Sequence, residues 1–437
     1  MTTQKGIALH WKILLGMTAG VLFGLLSVWL GLNEFAVDWI KPWGIIFINL
    51  LKLIAIPLII VSLISGVSGL NDVSRLSRMG LKTISMYILT TVIAVSVGLV
   101  VVNLTNPGKI LPREKAIEFQ QKFARNVENQ TLNNQMDSGP LQFIIDLVPA
   151  NIFEALTNNS SMLQVIFFAL LFGISLILLP AEKTKPVKDI FDSLNEIVMK
   201  MIHLVMMVAP YGVFALIASL IVDVAGNNPG DTLALFGSLG MYTLTVIIGL
   251  LLIVFAIYPL IIGTFTRLTY RQFLKGITPA QLLAFSTSSS AATLPMTMEC
   301  VEDNLGVKKE VSSFVLPLGA TINMDGTSLY QAVAAVFIAQ IYGMDLTFLQ
   351  QLTIILTATL ASIGSAAVPG AGMIMLVIVL TSVGIPTEGI ALIFAVDRPL
   401  DMLRTVVNIS GDAMIACIVE HTENKSDYPI VNENNTL

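Results

Sequence analysis

Long apolar runs recur along the chain, and most of them are long enough to cross a membrane. A helix of about twenty apolar residues covers the hydrocarbon core of a bilayer, which is about 30 Å thick. The runs in the first part of the chain predict six spans, over residues 12–32, 45–70, 83–104, 163–179, 190–222 and 233–265. We expect Pro57 to kink the second span and the Pro210-Tyr211-Gly212 stretch to interrupt the fifth.

After Lys275 the apolar arms become too short to cross a membrane. Such arms flank a serine run at 286–290 and a second set of small residues at 362–372. This pattern is typical of re-entrant hairpins, whose irregular backbone must be buried or line a cavity; the alternative is that each is an irregular full span. A polar-interrupted span follows each hairpin, over 311–342 with a break at 319–327 and over 395–419. A hairpin followed by a broken helix, occurring twice, indicates an inverted-repeat transporter.

The stretch 395–419 carries an unusual stripe of polar residues. At about 100° per residue, one arc of about 100° on a helix contains Asp401, Arg404, Thr405, Asn408 and Asp412, with Asp397 beside it. A charge at mid-membrane depth costs at least about 2.5–3.5 kcal/mol, so these groups must face a cavity, a ligand or each other. A salt-bridge ladder would also satisfy them, but the favoured interpretation is a binding site.

The composition agrees with a polytopic membrane protein. Of the 437 residues only 12% are charged, against about 25% in soluble domains, and the mean hydropathy is +0.81. No basic patch with interleaved aromatic residues points to nucleic acid. The two cysteines cannot form a disulfide framework or metal cluster and the three histidines lack ligand-like spacing, so we expect no cofactor. An enzyme would need a nucleophile–base pair, and no histidine accompanies the serines of the polar cluster, so we expect no enzyme.

The basic residues predict the orientation in the membrane. They cluster at the N-terminus and after spans two, four and six, where the loop after span four carries Lys183, Lys185 and Lys188. The positive-inside rule therefore puts both termini in the cytoplasm and the hydrophilic segment 106–139 outside. The first apolar run continues as span one without a separate cleavable signal, and 141–156 looks like an amphipathic lead into span four. The short loops suit a bacterial inner membrane.

Three carboxylates of the predicted core, Asp325, Asp401 and Asp412, outnumber Arg404, the expected counter-charge. Hard cations prefer oxygen ligands, and broken helices supply free carbonyls. Arg404 can grip a carboxylate with its planar fork, and Asp401 one turn earlier can accept an ammonium group. Ser290 and the amides around it can hold a second carboxylate. The pattern predicts a site that binds an acidic amino acid together with cations.

Four motifs resemble the dicarboxylate/amino-acid:cation symporter family, which includes the excitatory amino-acid transporters and archaeal aspartate transporters. They are SSSAATLP at 288–295, GATINMDGTSLYQA at 319–332, ASIGSAAVPGAG at 361–372 and LDMLRTVVNISGD at 400–412. The similarity covers essentially the whole chain, and the NMDGT stretch is very specific. The chain is therefore identified as a member of this family.

The resemblance implies an all-α polytopic membrane protein with eight transmembrane helices, two re-entrant helical hairpins and inverted repeats, assembled as a homotrimer in the lipid bilayer. A scaffold of residues 1–82 and 141–230 would hold a transport domain of residues 83–105 and 231–437, with 106–140 as an extracellular loop. The hairpins would lie at about 276–305 and 350–386, and spans seven and eight at about 310–342 and 390–420. The transport domain would move like an elevator, with the second hairpin as gate.

The ligand positions of the family carry over residue by residue. Asp401 would bind the substrate's amino group and Arg404 its side-chain carboxylate, and the other implied contacts are Ser290, Thr327, Val368, Gly372, Thr405 and Asn408. One implied sodium site comprises Gly319, Asn323, Asn408 and Asp412. A second comprises Thr321, Met324, Ser362, Ile363 and Ser365, and a third comprises Tyr87, Thr90, Thr91, Asn323 and Asp325.

Three positions indicate the substrate and the coupled ion. Arg404 is similar to the acidic-substrate members, and Asp401 argues against a C4-dicarboxylate, which has no ammonium group. Gln331 stands where proton- and potassium-coupled glutamate members carry a glutamate. These positions imply sodium-coupled symport without potassium return, with L-aspartate favoured and L-glutamate as a further candidate substrate. A proton-coupled glutamate/aspartate symporter and a serine/threonine-type carrier are the alternatives; a channel would need a continuous polar pore lining.

The chain also departs from the family pattern. Members often carry a second arginine near the site, at positions that Ser288 and Met402 occupy here. We expect this difference to affect selectivity or turnover.

Overall fold

The computed structural model describes residues 9–68, 77–111, 148–157, 161–225, 229–363 and 370–423. Every regular element in these ranges is a helix. Five of the described segments are long and apolar enough to cross a membrane: Asn33–Ser65, Met79–Ile110, Ala181–Ser219, Ala234–Phe265 and Val396–Glu423. The all-helical class predicted from the sequence is confirmed.

The helices before residue 226 form the first part of the fold. They are α1 (Leu9–Leu30), α2 (Lys41–Ser68), α3 (Ser77–Thr105), α4 (Ile152–Thr157), α5 (Met162–Leu178) and α6 (Ala181–Ala225). A short helix, Asn33–Phe35, and a π turn, Ala36–Ile40, lead into α2, and a 3₁₀ turn, Pro107–Ile110, follows α3.

The remaining helices form the second part. α7 (Pro229–Leu252) continues through a π turn, Ile253–Ile257, into α8 (Tyr258–Phe265). They are followed by α9 (Tyr270–Thr287), α10 (Ser290–Glu299), α11 (Lys309–Ile322), α12 (Asp325–Ile341), α13 (Phe348–Ile363), α14 (Ala371–Ser382) and α15 (Ile390–Glu423). A π turn, Cys300–Asn304, follows α10, and a 3₁₀ turn, Thr387–Gly389, precedes α15.

The helices pack in two groups. In the first group α6 packs against α1 and α2, and α5 packs against α2. In the second group α12 packs against α3 and α15, and α15 also packs against α7, α9 and α11. The groups meet where α14 lies on α2 and α5 and where α15 lies on α6. At this boundary a Cβ on Gly370 would lie 2.9 Å from Met206 Cε, and Lys52 forms an ion pair of 3.4 Å with Glu388.

Helix α6 corrects two sequence predictions. It is one helix of 45 residues, so neither the basic loop at Lys183, Lys185 and Lys188 nor the break at Pro210 exists. The chain turns earlier, at Pro180, and the first turns of α6 are exposed enough to carry the lysines in a helix. Pro210 and Gly212 lie where α6 crosses α1 and α2. A Cβ on Gly16 of α1 would lie 2.3 Å from the Pro210 carbonyl oxygen. A Cβ on Gly212 would lie 2.3 Å from Cγ of Phe47 in α2.

Gly212→Ala is expected to destabilise the protein. The added methyl group would overlap the Phe47 ring near its attachment point, where the ring cannot move without moving α2. Overpacking of this kind costs about 1–3 kcal/mol, so the melting temperature in detergent should fall. The control is Gly263→Ala, which has nothing within 4 Å of its Cβ and should be neutral or stabilising, since alanine favours a helix. Equal melting temperatures for the two variants would contradict the crossing.

Two pairs of helices correspond to the predicted hairpins. The first hairpin, α9 and α10, begins earlier than predicted, at Tyr270, and its arms pack together around Ser288, which has φ of +52°. The second hairpin, α13 and α14, has arms of 16 and 12 residues that also pack together. Of its predicted tip at 362–372, residues 364–369 lie outside the described residues, whereas 362–363 end α13 and 371–372 begin α14.

Only one of the two predicted broken helices is broken. The chain leaves helical geometry between α11 and α12, at Asn323 and Met324, which confirms the first break. By contrast, α15 is one helix of 34 residues that continues through Pro399, so the second interruption is wrong. Polar side chains on one face do not disturb a helix when they bind each other and the neighbouring helix, as they do here.

Candidate functional site

The polar stripe of α15 faces the break between α11 and α12. Asp401, Arg404, Asn408 and Asp412 are all buried, and Arg404 is fully inaccessible. Asn323 and Asp325 at the break are buried as well. Because α15 packs against α11 and α12, the two sets of polar residues share one core. Buried charges are rare in membrane proteins and mark functional sites by default.

Arg404 is only partly satisfied by its neighbours. Its Nη2 donates to Asp397 Oδ1 over 3.0 Å and to Asp401 Oδ1 over 2.7 Å. Its guanidinium carbon lies 3.8 Å from the centre of the Tyr330 ring. The Nε and Nη1 groups have no hydrogen-bond partner among the described residues, and a Cβ on Gly372 would lie 3.2 Å from Nη1. An arginine with two buried donor groups to spare can bind an anion through them.

Several other substrate candidates surround Arg404. Asn408 accepts a hydrogen bond of 2.8 Å from the Gly326 amide and donates one of 3.1 Å to the Thr327 hydroxyl. The Gly370 amide donates to Asp401 Oδ2 over 3.2 Å. A Cβ on Gly372 would lie 3.0 Å from the Thr327 methyl carbon. The structure therefore brings Thr327, Gly372, Asp401, Arg404 and Asn408 together.

Three substrate candidates are less closely joined to this group. The Thr405 hydroxyl donates to the Asp401 carbonyl within α15, over 2.8 Å. Ser290 is buried at the start of α10, which packs against α15, but within the described residues no hydrogen bond links it to Arg404 or Asp401. Val368 lies outside the described residues.

A second cluster surrounds Asp325 and Asp412. The Thr91 hydroxyl donates to Asp325 Oδ1 over 2.9 Å, and Asn323 Nδ2 donates to Asp412 Oδ1 over 2.8 Å. The Thr90 hydroxyl lies 3.4 Å from Asn323 Oδ1. Across the described residues neither carboxylate has an ion pair with a basic side chain. Two buried carboxylates without a positive partner, surrounded by oxygen atoms, make a favourable environment for a cation.

Gly319 completes this second cluster. It accepts a hydrogen bond of 2.8 Å from the Asn323 amide through its carbonyl group. A Cβ on Gly319 would lie 2.5 Å from both Asp412 Oδ1 and the Tyr87 hydroxyl, so Tyr87 also borders the carboxylates. The Tyr87 hydroxyl itself donates to the Val315 carbonyl over 2.9 Å. The cluster thus joins most members of two implied sodium sites.

The other implied sodium site is not assembled to the same degree. Thr321 is exposed and donates to the Leu318 carbonyl within its own helix, over 2.9 Å. Met324 is buried, and Ile363 is half-buried at the end of α13. The Ser362 hydroxyl lies 3.4 Å from the Ile322 carbonyl, which brings α13 to the helix break. Ser365 lies outside the described residues.

Sequence reasoning missed two tyrosines that the structure places at these clusters. Tyr330 stacks under Arg404, and Tyr258 donates a hydrogen bond of 2.9 Å to Asp325 Oδ2. Tyr330 is inside the GATINMDGTSLYQA motif, and its i,i+3 spacing from Thr327, a substrate candidate, could have indicated it. Tyr258 stands in an apolar run, and no local pattern distinguishes it from an ordinary core residue.

Within the described residues, two buried carboxylates without a basic partner lie beside a helix break, and a buried arginine has two donor groups without a partner. This combination in a helical membrane protein is typical of a membrane transporter. The chain belongs to the sodium:dicarboxylate symporter family, whose sequence profile matches residues 9–422. This confirms the family assigned from the motifs.

Individual relatives show the same similarity over most of the chain. It is 41% identical over 420 residues to excitatory amino acid transporter 1 of Ambystoma tigrinum, covering 86% of this chain and 76% of that protein. It is 37% identical over 436 residues to excitatory amino acid transporter 4 of Mus musculus, with the same shares covered. It is 35% identical over 418 residues to the proton/sodium-glutamate symport protein of Bacillus subtilis strain 168, covering 94% of this chain and 92% of that protein.

Proposed function

We propose that this protein is a sodium-coupled secondary active symporter of acidic amino acids, with L-aspartate favoured and L-glutamate also accepted. The observation that carries the substrate class is Arg404, whose Nε and Nη1 have no partner in the described part of the chain. The names of the relatives, excitatory amino acid transporters and a proton/sodium-glutamate symport protein, support the same class.

The proposed substrate position follows from the charges around Arg404. The side-chain carboxylate would bind Nε and Nη1 of Arg404, and the amino group would bind Asp401, one helical turn away. Ser290 and nearby amides at the start of α10 would hold the α-carboxylate, where the amide dipoles favour negative charge. Thr327, Thr405, Asn408, Gly372 and Val368 would complete the pocket.

The proposed coupling ion follows from the second cluster. Sodium would bind near Asp412 with Gly319, Asn323 and Asn408, and near Asp325 with Tyr87, Thr90, Thr91 and Asn323. Both carboxylates are buried and lack a basic partner among the described residues, so a cation would neutralise charge that is otherwise costly. A further sodium site would use Thr321, Met324, Ser362, Ile363 and Ser365.

Gly319→Ala tests the tight packing of the Asp412 cluster. A Cβ at this position would lie 2.5 Å from Asp412 Oδ1 and from the Tyr87 hydroxyl, so both side chains must move. We expect sodium-driven aspartate uptake to fall about 5- to 150-fold, since overpacking costs about 1–3 kcal/mol. Gly240→Ala, which meets nothing within 4 Å, should retain wild-type uptake. Wild-type uptake by Gly319→Ala would argue against an ion site there.

The proposed transport movement uses the two packing groups. The group containing α1, α2, α5 and α6 would be the scaffold and the centre of a homotrimer. The group containing α3, α7, α8, both hairpins, α11, α12 and α15 would carry the ligands across the membrane as an elevator, with the second hairpin as gate. The contacts of α14 with α2 and α5 and of Gly370 with Met206 would then be sliding contacts. The protein would reside in the cell membrane, with both termini in the cytoplasm.

Proton coupling is the second candidate, because one relative is named a proton/sodium-glutamate symport protein. In this chain Gln331 is buried, and its Nε2 lies 3.3 Å from the Gly372 carbonyl. A glutamine cannot bind and release a proton in the physiological range. This position therefore supports sodium coupling over proton coupling.

Competition for uptake tests the proposed substrate class. Uptake of labelled L-aspartate into proteoliposomes under a sodium gradient would be measured with unlabelled L-aspartate, L-glutamate, succinate or L-serine outside. We expect the two acidic amino acids to compete. Succinate lacks the ammonium group for Asp401 and serine lacks the carboxylate for Arg404, so neither should compete at equal concentration. Serine competing as well as aspartate would contradict the proposal.

A further inference from the structure

Tyr258 lies beside the carboxylate cluster, although it belongs to none of the implied sodium sites. Its side chain is fully buried. Its hydroxyl is 2.9 Å from Asp325 Oδ2 and 3.2 Å from the Val407 carbonyl oxygen. Because Thr91 donates to the other oxygen of Asp325, the carboxylate is held by hydroxyl groups from α3 and α8.

The local backbone fixes the direction of Tyr258. The π turn Ile253–Ile257 immediately precedes it, and Pro259 follows it. A π turn inserts an extra residue into a helix and so rotates the side chains that follow, and such turns are frequent at functional sites. The helical irregularity therefore lies where it can set the position of this hydroxyl.

Gly411 allows α15 to approach this hydroxyl. A Cβ on Gly411 would lie 2.7 Å from the Tyr258 hydroxyl oxygen and 2.9 Å from Asn323 Nδ2. Gly411 directly precedes Asp412 in the chain. The absence of a side chain at this position thus keeps room for the Tyr258 hydroxyl beside Asp325.

The hydroxyl has one proton and two acceptors within reach. A phenol donates one hydrogen bond at a time, so it cannot serve Asp325 and the Val407 carbonyl fully at once. The carboxylate of Asp325 is the stronger acceptor, because it is charged and lies at 2.9 Å, against 3.2 Å for the Val407 carbonyl. Val407 directly precedes Asn408, whose side chain binds the Gly326 amide and the Thr327 hydroxyl. One hydroxyl therefore connects the ion cluster with the backbone beside the substrate cluster.

We propose that Tyr258 is a positioning residue for the coupled ion: its hydroxyl holds Asp325 Oδ2 in the orientation that binds sodium and keeps this hydrogen bond when sodium is bound. This inference rests on the proposed sodium-coupled function and adds a residue outside the implied ligands. Hydrogen-bond partners of metal ligands typically account for about 10- to 100-fold in affinity or activity. Without the hydroxyl, Asp325 Oδ2 has no donor among the described residues, so sodium binding weakens.

Tyr258→Phe removes the hydroxyl and keeps the ring. We expect the sodium concentration for half-maximal aspartate uptake to rise about tenfold or more, while the KM for aspartate at saturating sodium stays within about twofold of wild type, because the substrate contacts remain. Sodium without aspartate should raise the melting temperature of the purified variant, but only at concentrations about tenfold or more above those that suffice for wild type. If Tyr258 had a purely structural role, the variant would have a lower melting temperature without sodium, and its half-saturating sodium concentration for uptake would be unchanged.

Tyr242→Phe is the matched control. Tyr242 is a fully buried tyrosine of α7 that stacks on Phe337, and its hydroxyl has no hydrogen-bond partner among the described residues. Its sodium response should equal that of wild type. Gly411→Ala is a second variant that disturbs the same hydroxyl from α15, and it should also raise half-saturating sodium, so the test does not depend on the folding of Tyr258→Phe.

The outcomes separate this inference from the function on which it rests. A wild-type protein driven by protons and indifferent to sodium would overturn both. A sodium response in wild type with the same half-saturation in Tyr258→Phe would overturn only the role of Tyr258. The role of Tyr258 would be supported if the half-saturating sodium concentration rises in both the Tyr258→Phe and Gly411→Ala variants and stays at the wild-type value in Tyr242→Phe.

Discussion

Replacing Arg404 with cysteine is expected to raise the KM for L-aspartate by at least about 30-fold. Truncating one partner of a buried, hydrogen-bonded charge pair costs about 2–5 kcal/mol, which is about 30- to 5,000-fold. The proposed partner is the side-chain carboxylate of the substrate, which would lose both Nε and Nη1. The smaller, uncharged side chain would also leave space beside Tyr330 and Gly372, so neutral amino acids should begin to compete for uptake.

Two further variants make the Arg404 experiment specific. Arg271→Cys changes an exposed arginine at the start of α9 and should leave the KM unchanged. Arg404→Lys keeps the charge but loses the planar fork, so its KM should lie between those of wild type and Arg404→Cys. An Arg404→Cys protein with the aspartate KM of wild type would remove this residue from the substrate site.

Asp412→Asn is expected to raise the half-saturating sodium concentration by about 100-fold. Hydrogen-bond partners of a metal ligand account for about 10- to 100-fold in affinity, and a direct charged ligand should contribute at least as much. The asparagine keeps the size of the side chain, but it removes one of two buried charges that have no basic partner in the described chain. Two measurements test this prediction. One is aspartate uptake as a function of sodium concentration, and the other is the melting temperature as a function of sodium concentration in the absence of aspartate.

Glu420→Gln is the matched control for Asp412. Glu420 is a buried carboxylate two helical turns further along α15, and it accepts a hydrogen bond of 3.1 Å from the Lys308 amide. A glutamine oxygen can accept the same bond, and the residue lies outside the ion cluster, so the sodium response should be that of wild type. Equal sodium responses of Asp412→Asn and wild type would exclude Asp412 from the coupling sites.

The sequence predicted the polar core of the fold well, because a charge in an apolar run is conspicuous. Asp401, Arg404, Asn408 and Asp412 recur at helical spacing, and their common face follows from the geometry of a helix. The break at Asn323 and Met324 was also predicted, since it lies inside a specific motif. The resemblance to a family further linked Thr91 to Asp325, which no pattern within α3 alone could have done.

Other features depend on contacts between distant helices. Pro210 and Gly212 are usual breakers of a helix, yet α6 continues because α1 and α2 pack closely on it at Gly16 and Phe47. Local sequence does not reveal such compensation. In the same way, Tyr258 looks like any aromatic residue of an apolar span until α12 and α15 bring Asp325 and Val407 to its hydroxyl.

Sodium-coupled uptake of L-aspartate is the central claim, and one measurement tests it most directly. Purified protein in proteoliposomes would be given labelled L-aspartate under an inward sodium gradient, a proton gradient of equal size or no gradient, with internal potassium varied. We predict accumulation with sodium alone, independent of potassium. Accumulation driven by protons in the absence of sodium would contradict the claim, and would mean that Asp325 and Asp412 do not serve as sodium ligands.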